Sequence, residues 1–88
     1  MSRLEGRVAI ITGSGNGIGA ATAKRLAKDG AKIAVIDITE EAGTNTVQAI
    51  KEAGGEAIAI GCDVSKADQV ENAVEQVIST FGRIDILV

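Results

Sequence analysis

The fold is decided by a glycine-rich stretch near the N-terminus, Thr12-Gly13-Ser14-Gly15-Asn16-Gly17-Ile18-Gly19. It follows a short apolar run over residues 7–12, whose β-branched residues are typical of a buried strand. It leads straight into a segment that we expect to be a helix, packed through Ile18, Ala21, Thr22 and Leu26. The stretch is therefore predicted to form the turn between a strand and a helix.

The same alternation of strand and helix continues along the chain. Near-continuous apolar strands are predicted over residues 32–37, 57–61 and 84–88, as a parallel sheet covered on both faces requires. A second helix is predicted over about residues 40–53, and a third has an apolar face of Val70, Val74, Val77, Ile78 and Phe81. We expect Ser65 to cap the third helix and Gly82 to end it in the left-handed conformation. The pattern indicates an α/β protein, β-α-β-α-β-α-β, with one domain at most over residues 1–88.

The glycines and one acidic residue together indicate a dinucleotide site. Gly13 allows a tight turn out of the strand, while Gly15 and Gly17 leave the backbone open to a pyrophosphate. The helix that follows presents free N–H groups and a positive dipole end to phosphates. Asp37, at the carboxyl end of the second strand, can accept hydrogen bonds from both hydroxyls of an adenosine ribose.

Three other phosphate or nucleoside loops fit the same residues less well. A P-loop requires a lysine after its last glycine, and none follows Gly17 or Gly19. The Gly-x-Gly-x-x-Gly fingerprint, read from Gly13, has Ile18 in its third glycine position. A Gly-x-Gly-x-Gly loop, as in methyltransferases that bind S-adenosylmethionine, does match. Ile11, however, stands where those loops normally carry an acid.

The pattern that fits is Thr-Gly-x3-Gly-Ile-Gly, and on it the chain resembles the short-chain dehydrogenase/reductase family. The resemblance covers residues 7–88, and its matching features are Thr12-Gly13, Gly17-Ile18-Gly19, Asp37, Cys62-Asp63-Val64-Ser65 and residues 82–88. It implies a Rossmann-like half with about four parallel strands in the order 3-2-1-4. The first two helices would cover one face and the third helix part of the other. A flavodoxin-like order of the same elements stays open, because alternation alone does not fix strand order.

The resemblance also implies which residues bind a cofactor. The pyrophosphate would be held by the loop residues Gly13, Ser14, Gly15, Asn16, Gly17, Ile18 and Gly19, with Ile18 acting through its backbone. Asp37 would bind the adenosine ribose, and Ile38 would flank the adenine. Asp63 would accept from the adenine amino group, and Val64 would meet the ring with its backbone and side chain. Thr12 is expected to brace the turn by hydrogen bonding.

Two positions bear on the choice between the two nicotinamide cofactors. Family members that prefer NADP tend to carry a basic residue just before the second loop glycine or just after the second strand. This chain has Asn16 and Ile38 there. The resemblance therefore favours NAD over NADP.

The composition excludes several classes of function. The net charge of −3 gives no basic excess for nucleic acid or anionic lipid. No apolar run approaches the roughly 20 residues of a membrane span. The chain has no histidine and a single cysteine, Cys62, so we expect no metal site and no internal disulfide. A cytoplasmic location is the default expectation.

The residues that carry the family's chemistry are missing. That chemistry rests on a Ser, a Tyr and a Lys further along the chain, and this sequence contains no tyrosine. With an apolar run ending at Val88, we interpret the chain as a cofactor-binding fragment of an NAD-dependent oxidoreductase acting on an alcohol or ketone. We expect no catalytic residue, no activity in isolation and weak cofactor affinity. Two alternatives stay open: an engineered or excised folding scaffold without ligand, and part of an enzyme completed by another chain.

An open sheet has a further consequence. With the fourth strand at its edge and apolar surface on its faces, we expect the chain to form homo-oligomers through that edge or face.

Overall fold

The computed structural model describes residues 4–13 and 17–88 of the chain. Strands and helices alternate throughout, as the sequence predicts. In chain order the elements are β1 (Val8–Thr12), α1 (Gly17–Lys28), β2 (Lys32–Asp37), α2 (Glu40–Glu52), β3 (Ala57–Gly61), α3 (Ala67–Phe81) and β4 (Ile86–Leu87). None of the described helices is both long and apolar enough to cross a bilayer.

The four strands form one parallel sheet in the order β3-β2-β1-β4. This confirms the order 3-2-1-4 and rules out the flavodoxin-like order. β4 is shorter than the predicted run over residues 84–88, and it pairs with β1 only through Ala9↔Ile86 and Ile10↔Leu87. The long strands β1, β2 and β3 are in register, so their carboxyl ends finish side by side.

Each strand sends alternate side chains to opposite faces of the sheet, and both faces are covered. On one face, α1 and α2 bury a cluster that includes Ala9, Ile11, Ala23, Ile33, Val35, Val47 and Ile50. On the other, α3 covers a second cluster that includes Val8, Ile10, Ala34, Ile36, Ile60, Ala73 and Val77. Since fully burying a valine or isoleucine contributes about 1.5–3 kcal/mol, these two clusters hold the layers together.

The buried face of α1 differs from the predicted one, and that of α3 agrees with it only in part. In α1 the buried residue is Ala23, while Ile18 is 87% exposed. In α3 the buried residues are Ala73 and Val77, and Ile78 is 49% exposed. Alanines occur on several sides of α1, so the spacing of apolar residues does not single out one face. In α3 the predicted Val77 is fully buried against the sheet, and Ala73, which was not predicted, is buried beside it in the same cluster.

The predicted ends of α3 are half right. Gly82 ends the helix at φ +86° and donates its N–H to Ile78 O at 2.8 Å, as expected. The prediction that Ser65 caps the start is wrong: Lys66 holds the capping position, without a side-chain hydrogen bond. The Ser65 hydroxyl donates instead to Asp63 Oδ1 at 2.6 Å.

Candidate functional site

The ends of the three long strands border a cleft of about 310 Å³. Its lining residues are Thr12, Gly13, Ile36, Asp37, Ile38, Cys62, Asp63 and Val64. Open parallel sheets bind ligands outside the carboxyl ends of their strands, where this cleft lies. The structure thus brings together five of the predicted site residues, namely Gly13, Asp37, Ile38, Asp63 and Val64.

The other predicted residues belong to the glycine loop and the start of α1. Ser14, Gly15 and Asn16 lie outside the described residues. Gly17 begins α1, and Ile18 and Gly19 follow it in the first turn. Ile18 is largely exposed, and no acidic side chain of the described residues lies in that turn to oppose an anion at the positive end of the helix dipole.

Gly13 and Gly17 both need to be glycine for conformational reasons. Their φ angles are +63° and +57°, a region that L side chains rarely adopt. A Cβ built at either position would meet nothing within 4 Å among the described residues. The Gly13 N–H donates to Ile36 O at 2.8 Å, so the turn is tied to β2. At both positions, then, it is the backbone conformation and not a described neighbour that requires glycine.

Thr12 braces the turn, as predicted, but towards β4. Its hydroxyl donates to Val88 O at 3.1 Å, and its own N–H donates to the same oxygen at 3.1 Å. The loop is thus attached to a neighbouring strand on each side of β1.

Asp37 ends β2 and lines the cleft. The N–H of Ile38 donates to its Oδ1 at 2.8 Å, which restricts the orientation of the carboxylate. The N–H of Cys62 donates to the backbone oxygen of Asp37 at 2.7 Å. A carboxylate held here attracts hydroxyl donors and repels a phosphate.

Asp63 lies in the turn after β3. Its Oδ1 accepts from the Ser65 hydroxyl at 2.6 Å and from the Ser65 N–H at 3.0 Å. These two bonds lower the pKa of Asp63 below its ordinary value, because they favour the ionised form. The Asp63 N–H in turn donates to Gln69 Oε1 at 2.8 Å.

Gln69 was missed at the level of sequence. The only available signal was its place in the first turn of the third helix, where Gln often reaches back to a free N–H. The extra reach to Asp63 depends on how the loop folds.

Three exposed apolar side chains surround the carboxyl edge. Ile18, Ile38 and Val64 are 87%, 75% and 60% exposed. Exposed large apolar groups beside polar anchors are typical of a binding site for a planar ring. The cleft therefore combines two carboxylates, Asp37 and Asp63, with two exposed apolar side chains, Ile38 and Val64.

A second polar cluster lies at the opposite end of β1. Asp85 accepts from Arg83 Nη2 at 2.6 Å, from the Val8 N–H at 2.9 Å and from Arg7 Nη1 at 3.4 Å. The Arg83 hydrogen bond is the main reason why the pKa of Asp85 lies below its ordinary value. This cluster attaches the segment before β4 to β1, and none of its residues lines the cleft.

A larger cavity, about 700 Å³, also lies away from the cleft, between the C-terminal ends of α1 and α2. It contains none of the predicted site residues.

Known proteins share both this sequence pattern and this fold. The family profile described as short chain dehydrogenase matches residues 7–88. An uncharacterised oxidoreductase of Methylorubrum extorquens is 53% identical over 89 residues, which is 100% of this chain and 36% of the relative. The chain spans only about a third of the length of such relatives.

Solved structures of other proteins contain the same fold. The crystal structure of a hydroxysteroid dehydrogenase from Escherichia coli superposes with a TM-score of 0.94 at 40% identity, over 97% of this chain and 36% of that one. A metagenomic short-chain oxidoreductase in complex with NADP gives 0.90 at 37% identity, over 96% of this chain and 38% of that one.

Proposed function

The chain belongs to the short chain dehydrogenase family, and from that premise we propose that it binds NAD(H) in the cleft at the carboxyl edge of its sheet. The observation that carries the proposal is the meeting of Asp37 and the Asp63–Val64 turn in one cleft beside Gly13. Residues 1–88 would then be part of a dinucleotide-binding domain.

The groups in the cleft match the parts of a dinucleotide. No described residue lies within 4 Å of where a side chain would project at Gly13 or Gly17, which supports the placing of a pyrophosphate against the backbone there. Ile18 would donate its N–H from the first turn of α1. Asp37 would accept from the ribose hydroxyls. Ser14, Gly15, Asn16 and Gly19 would complete the phosphate loop.

NAD is proposed over NADP on electrostatic grounds. The negative charge of Asp37 repels a phosphate on the adenosine ribose, and Ile38 supplies no positive charge to offset it. The NADP complex of the metagenomic relative concerns a protein only 37% identical to this one. The charge at the end of β2 is therefore the better guide.

Bound NAD would supply a hydride acceptor, and NADH a hydride donor, for an alcohol or ketone substrate. The 88 residues contain no tyrosine or histidine that could exchange the accompanying proton near neutral pH. We propose that they bind and orient the cofactor and have no hydride-transfer activity by themselves. We expect the affinity to be weak, and we propose a cytoplasmic location, where a lone buried thiol such as Cys62 is stable.

Calorimetric titration with NAD, NADP and NADH tests this function. Asp37→Ala should weaken NAD by about ten- to a hundredfold, the value of about 1.5–3 kcal/mol for hydrogen bonds to a charged group, and should reduce the preference over NADP. Glu75→Ala removes the same charge from an exposed position on α3 and serves as the control. The proposal fails if the protein binds no dinucleotide, or if Asp37→Ala leaves a measurable NAD affinity unchanged.

We also propose that the chain self-associates through the edge or face at β4. Leu87 and Val88 are 74% and 57% exposed, and β4 is an edge strand of the described sheet. Ile78 of α3 is a further exposed apolar residue. Size-exclusion chromatography with light scattering should show a concentration-dependent dimer or larger species. A monomer at high concentration would exclude this part of the proposal.

A further inference from the structure

Gln69 makes a contact that α3 itself does not need. It lies in the first turn of the helix, and its Oε1 accepts from the main-chain N–H of Asp63 at 2.8 Å. A glutamine in this place usually reaches back to the N–H of the capping residue. Here the capping position is Lys66, so the bond passes beyond it and fixes the loop.

The loop that Gln69 fixes presents an acceptor beside a donor. The Oδ1 atom of Asp63 is occupied by the two bonds from Ser65. Over residues 4–13 and 17–88, neither Asp63 Oδ2 nor the Val64 N–H has a hydrogen-bond partner. Both residues line the cleft.

This pair of groups distinguishes two kinds of purine. A 6-aminopurine presents an N–H donor next to a ring-nitrogen acceptor, the complement of a carboxylate oxygen next to an N–H. A 6-oxopurine presents an acceptor next to a donor. Its acceptor would face the carboxylate oxygen and its donor would face the N–H, so neither hydrogen bond could form. The carboxylate cannot adapt by becoming a donor, since the bonds from Ser65 keep it ionised.

We infer that Gln69 is a positioning residue for purine selectivity and that Ser65 assists it. The inference rests on the proposed cofactor function. Gln69 holds the backbone of Asp63, and Ser65 holds the carboxylate, so that Asp63 Oδ2 and Val64 N–H act together on the purine edge. Their joint effect is a preference for adenine over hypoxanthine in the bound dinucleotide.

The test compares NAD with nicotinamide hypoxanthine dinucleotide, in which an oxygen replaces the adenine amino group. Calorimetry gives both dissociation constants for the wild type, Gln69→Ala and Gln69→Glu. We expect Gln69→Ala to reduce the preference for NAD by about three- to tenfold, the effect of one or two misaligned hydrogen bonds. Gln69→Glu keeps an acceptor in place and should retain most of the preference. Gln76→Ala changes an exposed glutamine of the same helix and should behave as wild type.

A merely structural role would give a different pattern. If Gln69→Ala weakens both dinucleotides by the same factor, or leaves the preference unchanged, the inference is wrong. Should Gln69→Ala fail to fold, Ser65→Ala replaces it: a reduced preference supports the inference, and an unchanged one overturns it. A wild type that binds neither dinucleotide rejects the proposed function itself. A wild type that prefers NAD, with variants that keep the preference, rejects only the role of Gln69 and Ser65.

Discussion

The packing of α2 on β2 depends on the absence of a single methyl group at Gly43. A Cβ built there would lie 2.7 Å from Val35 Cγ1 and 3.6 Å from Ala59 Cβ. Val35 is fully buried in the middle of β2, and its β-branched side chain has few alternative rotamers. The first contact is about 1 Å shorter than an ordinary carbon–carbon contact, so Gly43→Ala requires α2 or Val35 to move.

Two opposing effects set the size of the change. Replacing a helical glycine by alanine stabilises the helix by up to about 0.8–1.0 kcal/mol, and Gly43 is the fourth residue of α2. Overpacking a core costs about 1–3 kcal/mol. We therefore expect Gly43→Ala to lower the free energy of unfolding by about 0–2 kcal/mol, although helix propensity alone predicts an increase.

Removing the obstructing methyl group should reverse the sign. In a Val35→Ala background the nearest contact becomes the Cβ at 3.5 Å, which is ordinary. Gly43→Ala should then raise the free energy of unfolding by about 1 kcal/mol. The double-mutant cycle should give a coupling energy of about 1–3 kcal/mol.

Urea unfolding followed by circular dichroism gives the free energy of unfolding of all four proteins, provided that the m-value stays constant. Asn45→Ala, at an exposed position of α2, is the control and should change stability by the same few tenths of a kcal/mol in both backgrounds. If Gly43→Ala stabilises the wild type as much as it stabilises Val35→Ala, the close contact is not what keeps glycine at this position.

Two further predictions concern the C-terminal end of α3 and the segment that connects it to β4. Gly82→Ala should lower the free energy of unfolding by about 1–2 kcal/mol. The φ angle is +86° and no described residue lies within 4 Å of the added Cβ, so the whole cost comes from the backbone. An unchanged urea midpoint would contradict this. Asp85→Asn should destabilise the protein at neutral pH, because the folded state lowers the pKa of this carboxyl through Arg83 and the Val8 N–H. The stabilisation is fully present above the unfolded-state pKa of about 4 and is lost as the pH falls below it, so the difference in stability between wild type and variant should shrink below about pH 4. A difference that stays constant down to pH 2 would show that the charge of Asp85 contributes nothing.

The sequence predicts this fold where the physical signal is local. β1, β2 and β3 appear as apolar runs because both faces of the sheet are covered, and Gly82 ends α3 because the left-handed conformation favours glycine. The order of the strands is a different matter. Alternation is compatible with two orders, and only the resemblance to a family indicated β3-β2-β1-β4.

The site residues divide in the same way. The place of Asp37 in the cleft could be predicted because it ends a strand, and the ends of parallel strands meet at one edge. The roles of Ser65 and Gln69 could not, because they depend on how one loop folds between β3 and α3. A serine before a helix is usually its cap. Here the carboxylate of Asp63 competes for the same hydroxyl and binds it at 2.6 Å.

The spacing of the strands sets the distance between the two carboxylates of the proposed site, Asp37 and Asp63. Hydrogen bonds set the orientation of Asp63. Asp37 is in register with Gly61, and the Cys62 N–H donates to Asp37 O at 2.7 Å. Asp63 follows Cys62 directly, so its distance from Asp37 depends on the spacing of two hydrogen-bonded strands, about 4.8 Å. Its orientation depends on two hydrogen bonds from Ser65 and on one from its own N–H to Gln69.

Substitutions in these two parts of the molecule should therefore have different effects on binding. We expect Gly43→Ala to push α2 away from β2 and to disturb the turn after Asp37, which both dinucleotides would use through the same ribose. It should weaken NAD and nicotinamide hypoxanthine dinucleotide by equal factors. Gln69→Ala leaves the strands in place and should change only the ratio of the two affinities. Calorimetry on both variants tests this. The prediction is wrong if Gly43→Ala changes the ratio of the two affinities while Gln69→Ala weakens both dinucleotides equally. The sheet would then set the orientation of Asp63, and the side chains its distance from Asp37.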